Sequence, residues 1–253
     1  MILYWNQTEF PDGPADLFYA RVRCLWETYG PGRIAEFWVQ RTQREVTAWL
    51  CRSEDCLSVA ATDAADWEEL AEFAAFSGAS MVFAPPQLAL LGASKASGGS
   101  VLAWPGGKGV GAACSNPAVS VLTNPPGERL YALLAQCQSS SLQIPGRDGF
   151  LSDYARRTRL GTGRAKLLCF GGEDAAAIMT TAEAPGLAVV GGVAVVPKAR
   201  GRGMATAALG MLIEELCRES RSVLLAASTD ELVRFYESRG LVRCGEWRLW
   251  RLR

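Results

Sequence analysis

The segment from Val193 to Arg218 constrains the fold more than any other part of the sequence. An apolar run, Val193-Ala194-Val195-Val196, leads through Pro197 into a glycine-rich turn and then into an amphipathic stretch. Apolar residues in that stretch recur on one helical face, at positions 205, 208, 209, 212, 213 and 216. The pattern predicts a strand, a tight turn and a helix over 203–218, and with the other predicted strands and helices it indicates an α/β protein with a mixed, α+β-like sheet.

The turn itself, Arg200-Gly201-Arg202-Gly203, has the chemistry of an anion site. Unpaired backbone N–H groups and the helix dipole attract anions at a helix N-terminus, glycines allow close approach, and arginines add positive charge. The spacing is not that of a Walker loop, and Thr206 breaks the Rossmann GxGxxG pattern. We therefore predict a pyrophosphate site. The competing interpretation is that the glycines only form a tight connection between strand and helix.

Two motifs in this half of the chain resemble the GNAT acyl-CoA-dependent N-acetyltransferases. The family signature, Gln/Arg-x-x-Gly-x-Gly/Ala, is matched by Arg200-Gly201-Arg202-Gly203-Met204-Ala205. The family's Phe-Tyr-Glu-x-x-Gly-Phe is similar to Phe235-Tyr236-Glu237-Ser238-Arg239-Gly240-Leu241, which follows at the expected distance. The resemblance covers about residues 145–253 and implies a GNAT-like acyltransferase fold.

The resemblance also implies a co-substrate, acetyl-CoA, and an acetyl transfer to a primary amine of an acceptor that the sequence does not identify. The residues that would bind acetyl-CoA are Val193, Ala194, Val195, Arg200, Gly201, Arg202, Gly203, Met204, Ala205, Thr206 and Asp230. Asp230 stands where many family members carry an asparagine, and a carboxylate would hold the cofactor arm less well. Alternatively, Ser228 and Glu231 form a capping box that makes Asp230 a first-turn acid of the next helix.

Two catalytic residues are expected from the same resemblance. Tyr236 would protonate the departing CoA thiolate, since a phenol can donate to a thiolate within hydrogen-bond reach. A backbone N–H near Val195 could stabilise the oxyanion of the tetrahedral intermediate. Glu183 is the candidate general base for the amine. The competing interpretations are a buried structural tyrosine and an ordinary turn glutamate beside Pro185-Gly186.

Composition excludes several other chemistries. The chain has no histidine, which removes Ser-His-Asp and Cys-His catalysis and histidine-ligated metals. Its eight cysteines show no CxxC pair, so we expect no metal site and a reduced, cytoplasmic protein. A net charge of zero gives no reason to expect a nucleic-acid or membrane partner, and from the sequence we expect no signal peptide and no membrane span. The oligomeric state is left open, with a homodimer as one possibility.

The first half of the chain resembles the second in the order of its predicted elements. Strands at 45–51 and 56–62, a helix at 66–76 capped by Asp63 or Asp66, and a strand at 80–84 echo the pattern after residue 165. No phosphate-type turn precedes that helix. With a Pro- and Gly-rich linker at 105–127, we expect a tandem arrangement: a degenerate GNAT-like or accessory domain over 1–125 and a GNAT domain binding acetyl-CoA over 126–253.

Some expectations concern only local structure or charge. The chain up to about residue 43 is compatible with helix, and a weak helix is predicted over 87–91. Residues 1–145 carry 9 basic and 14 acidic side chains, which favours a cationic amine as acceptor. Two other functions remain open: a non-catalytic acyl-CoA-binding or regulatory module, and a structural or partner-binding protein without CoA affinity.

Overall fold

A computed structural model of the chain describes residues 1–107 and 118–252. The chain divides into two compact units. Unit 1 consists of Met1–Val101 and Cys244–Arg253, and unit 2 is Leu102–Arg243. The end of the chain therefore belongs with its beginning, and the predicted boundary after residue 125 falls inside unit 2.

Unit 1 places helices on both faces of a sheet. Its elements are β1 (Ile2–Tyr4), α1 (Leu17–Tyr29), β2 (Ala35–Thr42), β3 (Glu45–Ser53), β4 (Cys56–Ala61), α2 (Trp67–Phe76), β5 (Met81–Ala84), β6 (Ser94–Ala103, whose last two residues lie in unit 2) and β12 (Val242–Arg251, whose first two do). Neighbouring side chains of β2 point to opposite faces. Phe37 contacts Trp26 of α1, with ring centroids 5.0 Å apart, whereas Trp38 contacts Phe73 of α2 at 5.2 Å.

Unit 2 has the same layered construction. Its elements are β7 (Val119–Thr123), α3 (Gly127–Gln136), α4 (Arg147–Leu160), β8 (Ala165–Phe170), β9 (Glu173–Ala184), β10 (Leu187–Val195), a short 3₁₀ turn (Pro197–Ala199), α5 (Met204–Arg218), β11 (Ser222–Ala227) and α6 (Asp230–Glu237). Alternate residues of β9 serve the two faces. Ala176 and Ile178 pack with α5, while Ala175 and Ala177 pack with α3 and α4.

The order of strand pairing repeats between the two units. In unit 1 the order is β1-β2-β3-β4-β5-β12, with antiparallel pairs except for the parallel β4–β5 pair that flanks α2. In unit 2 it is β7-β8-β9-β10-β11, again antiparallel except for the β10–β11 pair that flanks α5. The predicted echo between the halves is confirmed, and β12 shows that the last strand completes the first unit.

Most predicted elements are confirmed, including the hairpin of β3 and β4 and the helix over 203–218. Asp66 caps α2, because its side chain accepts from the Glu69 N–H at 3.0 Å. The predicted capping box at Ser228 is wrong: Thr229 is the N-cap of α6 and accepts from the Leu232 N–H at 3.3 Å. Because the helix begins one residue later than predicted, Leu232 and not Glu231 occupies the third helical position, and a capping box cannot form.

Two further local predictions are wrong. The segment 87–91 is not helical: a turn closed by the Leu88 N–H and the Pro85 carbonyl is followed by irregular chain, in which Leu88 and Leu90 are buried. The first 43 residues hold one helix between two strands, because tertiary packing of β2 overrides its helix-compatible composition. The glycine-rich run at 107–111 lies mostly outside the described residues.

The described part of the chain contains seven cysteines, all of them free thiols. In the same part, no group of three or more acidic or cysteine side chains is placed to hold a metal ion. None of the described helices is both long enough and apolar enough to cross a membrane.

Candidate cofactor and active site

The turn between β10 and α5 presents a row of free backbone N–H groups. The Ala199 N–H donates to the Val196 carbonyl and the Arg200 N–H to the Pro197 carbonyl, and the next N–H with a described backbone acceptor is that of Ala207. Within the described ranges, the N–H groups of residues 201–206 have no acceptor, and α5 has no side-chain cap. Such a row at a helix N-terminus is suited to bind phosphate oxygens.

The two glycines of this turn are required by its backbone conformation. Gly201 and Gly203 both have φ of +74°, in the left-handed region that side chains with a Cβ rarely adopt. A Cβ built on either glycine would meet no protein atom within 4 Å. The space at both Cβ positions is therefore open, and the glycines serve the backbone path without packing against a neighbour.

Positive side chains surround the row. The Arg200 Nε donates to the Val195 carbonyl at 3.3 Å, and the Arg202 guanidinium lies 4.8 Å from the centre of the Phe170 ring. Neither arginine forms an ion pair with any carboxylate of residues 1–107 or 118–252, whereas Lys198 pairs with Glu173. Two arginines without a carboxylate partner among the described residues, next to free N–H groups, make this turn a favourable anion site.

Strand β10 opens toward this turn. Its first residues, Leu187–Val190, pair with β11, whereas the residues after Val190 pair with β9 and with no other strand in the described part of the chain. A bulge with Gly192 at φ +58° lies between the two regions. The Val196 N–H donates to the Ala175 carbonyl of β9. Because the main-chain groups of successive residues in an antiparallel strand point to opposite edges, those of Ala194 also face β9 and those of Val195 face the open edge. An extended ligand can pair with that edge as an added strand does.

Tyr236 lies on α6 in the same hydrophobic cluster as Met204, the first residue of α5. It is 5% exposed, and burial raises the pKa of its phenol to about 12. Among the described residues, none forms a hydrogen bond with its hydroxyl. The phenol thus keeps its proton at neutral pH, and no described residue accepts a hydrogen bond from it.

Glu183 lies away from the turn and is fully engaged. It pairs with Ala188 near the start of β10, roughly 23 Å from Val195 at 3.3 Å per residue. Its carboxylate is buried and accepts two hydrogen bonds from Arg164, each 2.8 Å long, and one from the Thr180 hydroxyl. This placement argues against Glu183 as general base, since its carboxylate is already engaged by Arg164 and Thr180.

The remaining predicted position, Asp230, is the first residue of α6 and is exposed. It forms no ion pair within the part of the chain that the structure describes. Its helix begins after the C-terminal end of β11, the strand from which β10 separates. The structure therefore places Asp230 in unit 2 beside the β11–α6 connection and records no contact of its side chain.

Known proteins of similar structure identify the fold of this chain. No family model matches the sequence, and no curated protein matches it. A GCN5-related N-acetyltransferase from Sphaerobacter thermophilus has a TM-score of 0.62 at 18% identity, over 93% of this chain and 91% of its own. A tandem GNAT protein from the clavulanic acid biosynthesis pathway scores 0.54 at 14% identity, over 92% and 93%. A GCN5-related N-acetyltransferase from Kribbella flavida scores 0.57 at 17% identity, over 81% and 86%.

The chain has the GNAT fold. These matches share its mixed sheet, and one is described as a tandem protein, in agreement with the repeated strand order of the two units. The expected GNAT-like fold and the tandem arrangement are confirmed. Identities below 20% leave the reaction and its substrates to be argued from the site.

The GNAT-like unit 1 lacks an equivalent of the phosphate turn. At the N-terminus of α2, Asp66 caps the helix, and its own N–H donates to the Gln40 side chain at 2.9 Å. Glu68 and Glu69 add two carboxylates in the first turn, and Gln40 also bonds to Glu69 at 2.8 Å. Protein carboxylates therefore occupy the position that an anion would need, and they would repel a phosphate.

Sequence reasoning missed one residue beside the turn of unit 2. Arg239 follows α6, and its Nε donates to the Thr206 hydroxyl in the first turn of α5 at 2.9 Å. Its guanidinium also lies 5.3 Å from the centre of the Phe235 ring. The sequence shows only an arginine within the second motif, because the contact with Thr206 depends on how α6 packs beside α5.

Proposed function

We propose that this protein is an N-acetyltransferase that takes its acetyl group from acetyl-CoA, bound in unit 2, and transfers it to a primary amine. The observation that supports this most is the row of free N–H groups at residues 201–206, next to the open edge of β10. A phosphate-binding row combined with a strand edge suits a ligand with a pyrophosphate at one end and an amide-containing arm at the other. Acetyl-CoA is such a ligand.

The binding roles are divided between the turn and the strand. The N–H groups of Gly201, Arg202, Gly203, Met204, Ala205 and Thr206 would hold the pyrophosphate. Arg200 and Arg202 would neutralise its charge, since neither has a counter-ion in the described part of the chain. The main chain of Val193 and Val195 would guide the arm along β10, with the Val195 groups directed at the open edge, whereas the main-chain groups of Ala194 pair with β9 and would not contact the arm. Asp230 would contact the arm from the start of α6.

The chemical step needs a carbonyl stabiliser and a proton donor. Bound acetyl-CoA supplies an acetyl thioester, which an amine can attack. The Val195 N–H, on the open edge of β10, would donate to the developing oxyanion. Tyr236 would give its proton to the departing thiolate. Its raised pKa keeps the phenol in the protonated form that a donor needs, but it also makes the phenol a weaker acid toward the thiolate.

Removal of the proton from the amine has no assigned side chain. Glu183 is engaged by Arg164 and lies at the opposite end of β10, so we do not propose it as the base. An amine that enters as the cation loses its proton to water or to an exposed carboxylate before it attacks. The acidic surplus of residues 1–145 favours such a cationic acceptor.

The absence of a base among the predicted residues favours a second candidate, a non-catalytic acyl-CoA-binding or regulatory module. Such a module would keep the N–H row and the open strand edge but would not turn over. Tyr236 would then be a buried structural residue of the cluster that contains Met204.

Thermal unfolding with and without excess acetyl-CoA tests the shared claim of both candidates. A ligand at about 100 times its Kd stabilises the folded state by about 2.7 kcal/mol, which corresponds to roughly 5–10 °C for a chain of this size. Release of free thiol from acetyl-CoA in the presence of a panel of primary amines then separates the enzyme from the module.

The matched variants are Gly203→Asp and Gly186→Asp. Both glycines have a left-handed φ and open space around the Cβ position, but Gly186 lies in the β9–β10 hairpin away from the turn. We expect the acetyl-CoA shift to disappear in Gly203→Asp and to persist in Gly186→Asp. A folded wild-type protein without any shift would remove the cofactor site and both candidates with it.

A further inference from the structure

One side chain of the turn lies across the open edge of β10. The Arg200 Nε donates to the Val195 carbonyl at 3.3 Å, and this carbonyl faces the edge that no described strand covers. An added strand lies about 4.8 Å from its neighbour and brings its own N–H donors within hydrogen-bond distance of such carbonyls. The Arg200 guanidinium therefore takes the place that an amide of the cofactor arm would take.

The contact between Arg200 and Val195 can be exchanged easily. Arg200 is exposed, and the bond to the Val195 carbonyl is the one hydrogen bond that its side chain makes in the described part of the chain. Exposed side chains change rotamer within nanoseconds. A guanidinium also binds a phosphate through two parallel hydrogen bonds, which a single carbonyl cannot offer. A phosphate within reach is therefore the better partner for Arg200.

The N–H row at residues 201–206 would place a phosphate within that reach. Arg200 directly precedes the row, so rotation about its side-chain bonds carries the guanidinium from the strand edge toward an anion bound there. Arg202 differs, because its guanidinium packs 4.8 Å from the centre of the Phe170 ring. Phe170 ends β8, which β9 separates from β10, and no described contact joins Arg202 to Val195.

We propose that Arg200 is a latch on the edge of β10 that receives the cofactor arm. Without a phosphate in the turn, its side chain covers the Val195 carbonyl. With a phosphate on the N–H row, the guanidinium turns to the phosphate and leaves the edge open. Phosphate binding thereby prepares the arm site, and thioesters without a phosphate meet a covered edge. The proposal rests on the proposed function, because it requires that acetyl-CoA binds at the turn.

The strength of the latch follows from that of one hydrogen bond. A typical protein hydrogen bond shifts an equilibrium by about twofold to tenfold. A ligand that needs the less populated state binds more weakly in proportion to the population of that state. We therefore expect the latch to weaken the binding of a phosphate-free arm by about threefold to tenfold.

The test uses S-acetylpantetheine, which keeps the acetyl thioester and the amides of the arm but carries no phosphate. Amide chemical shifts followed during titration measure its Kd even in the millimolar range. The proteins are the wild type, Arg200→Ala and the matched control Arg202→Ala, which removes an arginine of the same turn that does not contact Val195. Each is titrated in chloride and in saturating inorganic phosphate, at equal pH and ionic strength.

In chloride, Arg200→Ala should bind S-acetylpantetheine about threefold to tenfold more tightly than the wild type, and Arg202→Ala should bind it as the wild type does. Inorganic phosphate should tighten binding by a similar factor in the wild type and in Arg202→Ala, because it draws the latch from the edge. It should have no such effect in Arg200→Ala, whose edge is already open.

Two results would overturn the latch. One is an Arg200→Ala protein that binds S-acetylpantetheine no more tightly than the wild type, and the other is a phosphate effect of equal size in all three proteins. Acetyl-CoA, titrated alongside, separates these failures from that of the proposed function. A wild type that binds acetyl-CoA while the variants behave alike loses the latch alone, whereas a wild type that binds neither ligand loses the cofactor site as well.

Discussion

Replacement of Glu183 tests whether this residue is structural or catalytic. The carboxylate is 2% exposed and accepts two hydrogen bonds of 2.8 Å from Arg164 and one of 2.8 Å from Thr180. Breaking a buried ion pair from one side costs about 3–5 kcal/mol, because the other charge stays behind without its partner. Arg164 also bonds to Glu215 and Glu219, so we expect the lower end of that range for Glu183→Ala.

The magnitude for Glu183→Ala is therefore about 3 kcal/mol, which lowers the midpoint of thermal unfolding by roughly 6–12 °C. Glu183→Gln should cost less, about 2 kcal/mol, because its amide oxygen still accepts one of the three hydrogen bonds. The matched control is Glu214→Gln. It removes the same charge from an exposed helical pair with Arg218 at 3.6 Å and should cost under about 0.5 kcal/mol.

Circular dichroism melts and acetyl-CoA titration below the melting temperature provide the two readouts. We expect the Glu183 variants to melt earlier than the wild type and to bind acetyl-CoA with unchanged affinity. A Glu183→Gln protein that melts like the wild type but loses turnover by orders of magnitude would refute this reasoning and restore Glu183 as a base.

The other predictions concern Tyr236, Glu219 and Thr229. Tyr236→Phe should lower the rate of thiol release about 100-fold or more while the Kd of acetyl-CoA changes less than twofold, as measured by steady-state kinetics and titration. Hydrogen bonds from Arg164 lower the pKa of Glu219 from 4.5 to about 2. The stabilisation by Glu219 is therefore complete above pH 4.5 and is lost as pH falls toward 2. In thermal melts over that pH range, Glu219→Gln should lose less stability on acidification than the wild type. Thr229→Ala should destabilise unit 2 by about 1 kcal/mol in denaturant unfolding, and Ser228→Ala, which removes a buried hydroxyl without a described partner, should not.

The sequence was sufficient for features that depend on local chemistry. The strand–turn–helix at 193–218 is visible because apolar periodicity, paired glycines and arginines lie within one continuous segment. For the same reason the cap of α2 was predictable as Asp63 or Asp66, and the structure shows that it is Asp66. At α6, Ser228 and Thr229 both suit an N-cap, and the sequence does not decide between them. The backbone does, because the helix begins at Asp230 and only the Thr229 side chain accepts from Leu232.

Features that depend on distant partners were not predictable. Strand β12 pairs with β5 of unit 1, with Trp250 opposite Val82, and nothing in either segment specifies the other. Glu183 looked like a free turn residue because Arg164, its partner, lies on a different strand connection. Arg239 stood inside a matched motif, but its contact with Thr206 arises only when α6 packs beside α5.

Amide chemical shifts during titration with acetyl-CoA test most directly whether the free N–H row of unit 2 binds the cofactor phosphates. A TROSY experiment on deuterated, ¹⁵N-labelled protein follows residues 201–206, with residues 66–69 at the start of α2 as an internal control. We predict that the amides of 201–206 move strongly and saturate, while those of 66–69, which the carboxylates of unit 1 protect from anions, do not. Saturating acetyl-CoA that leaves the amides of 201–206 unmoved would contradict the central claim.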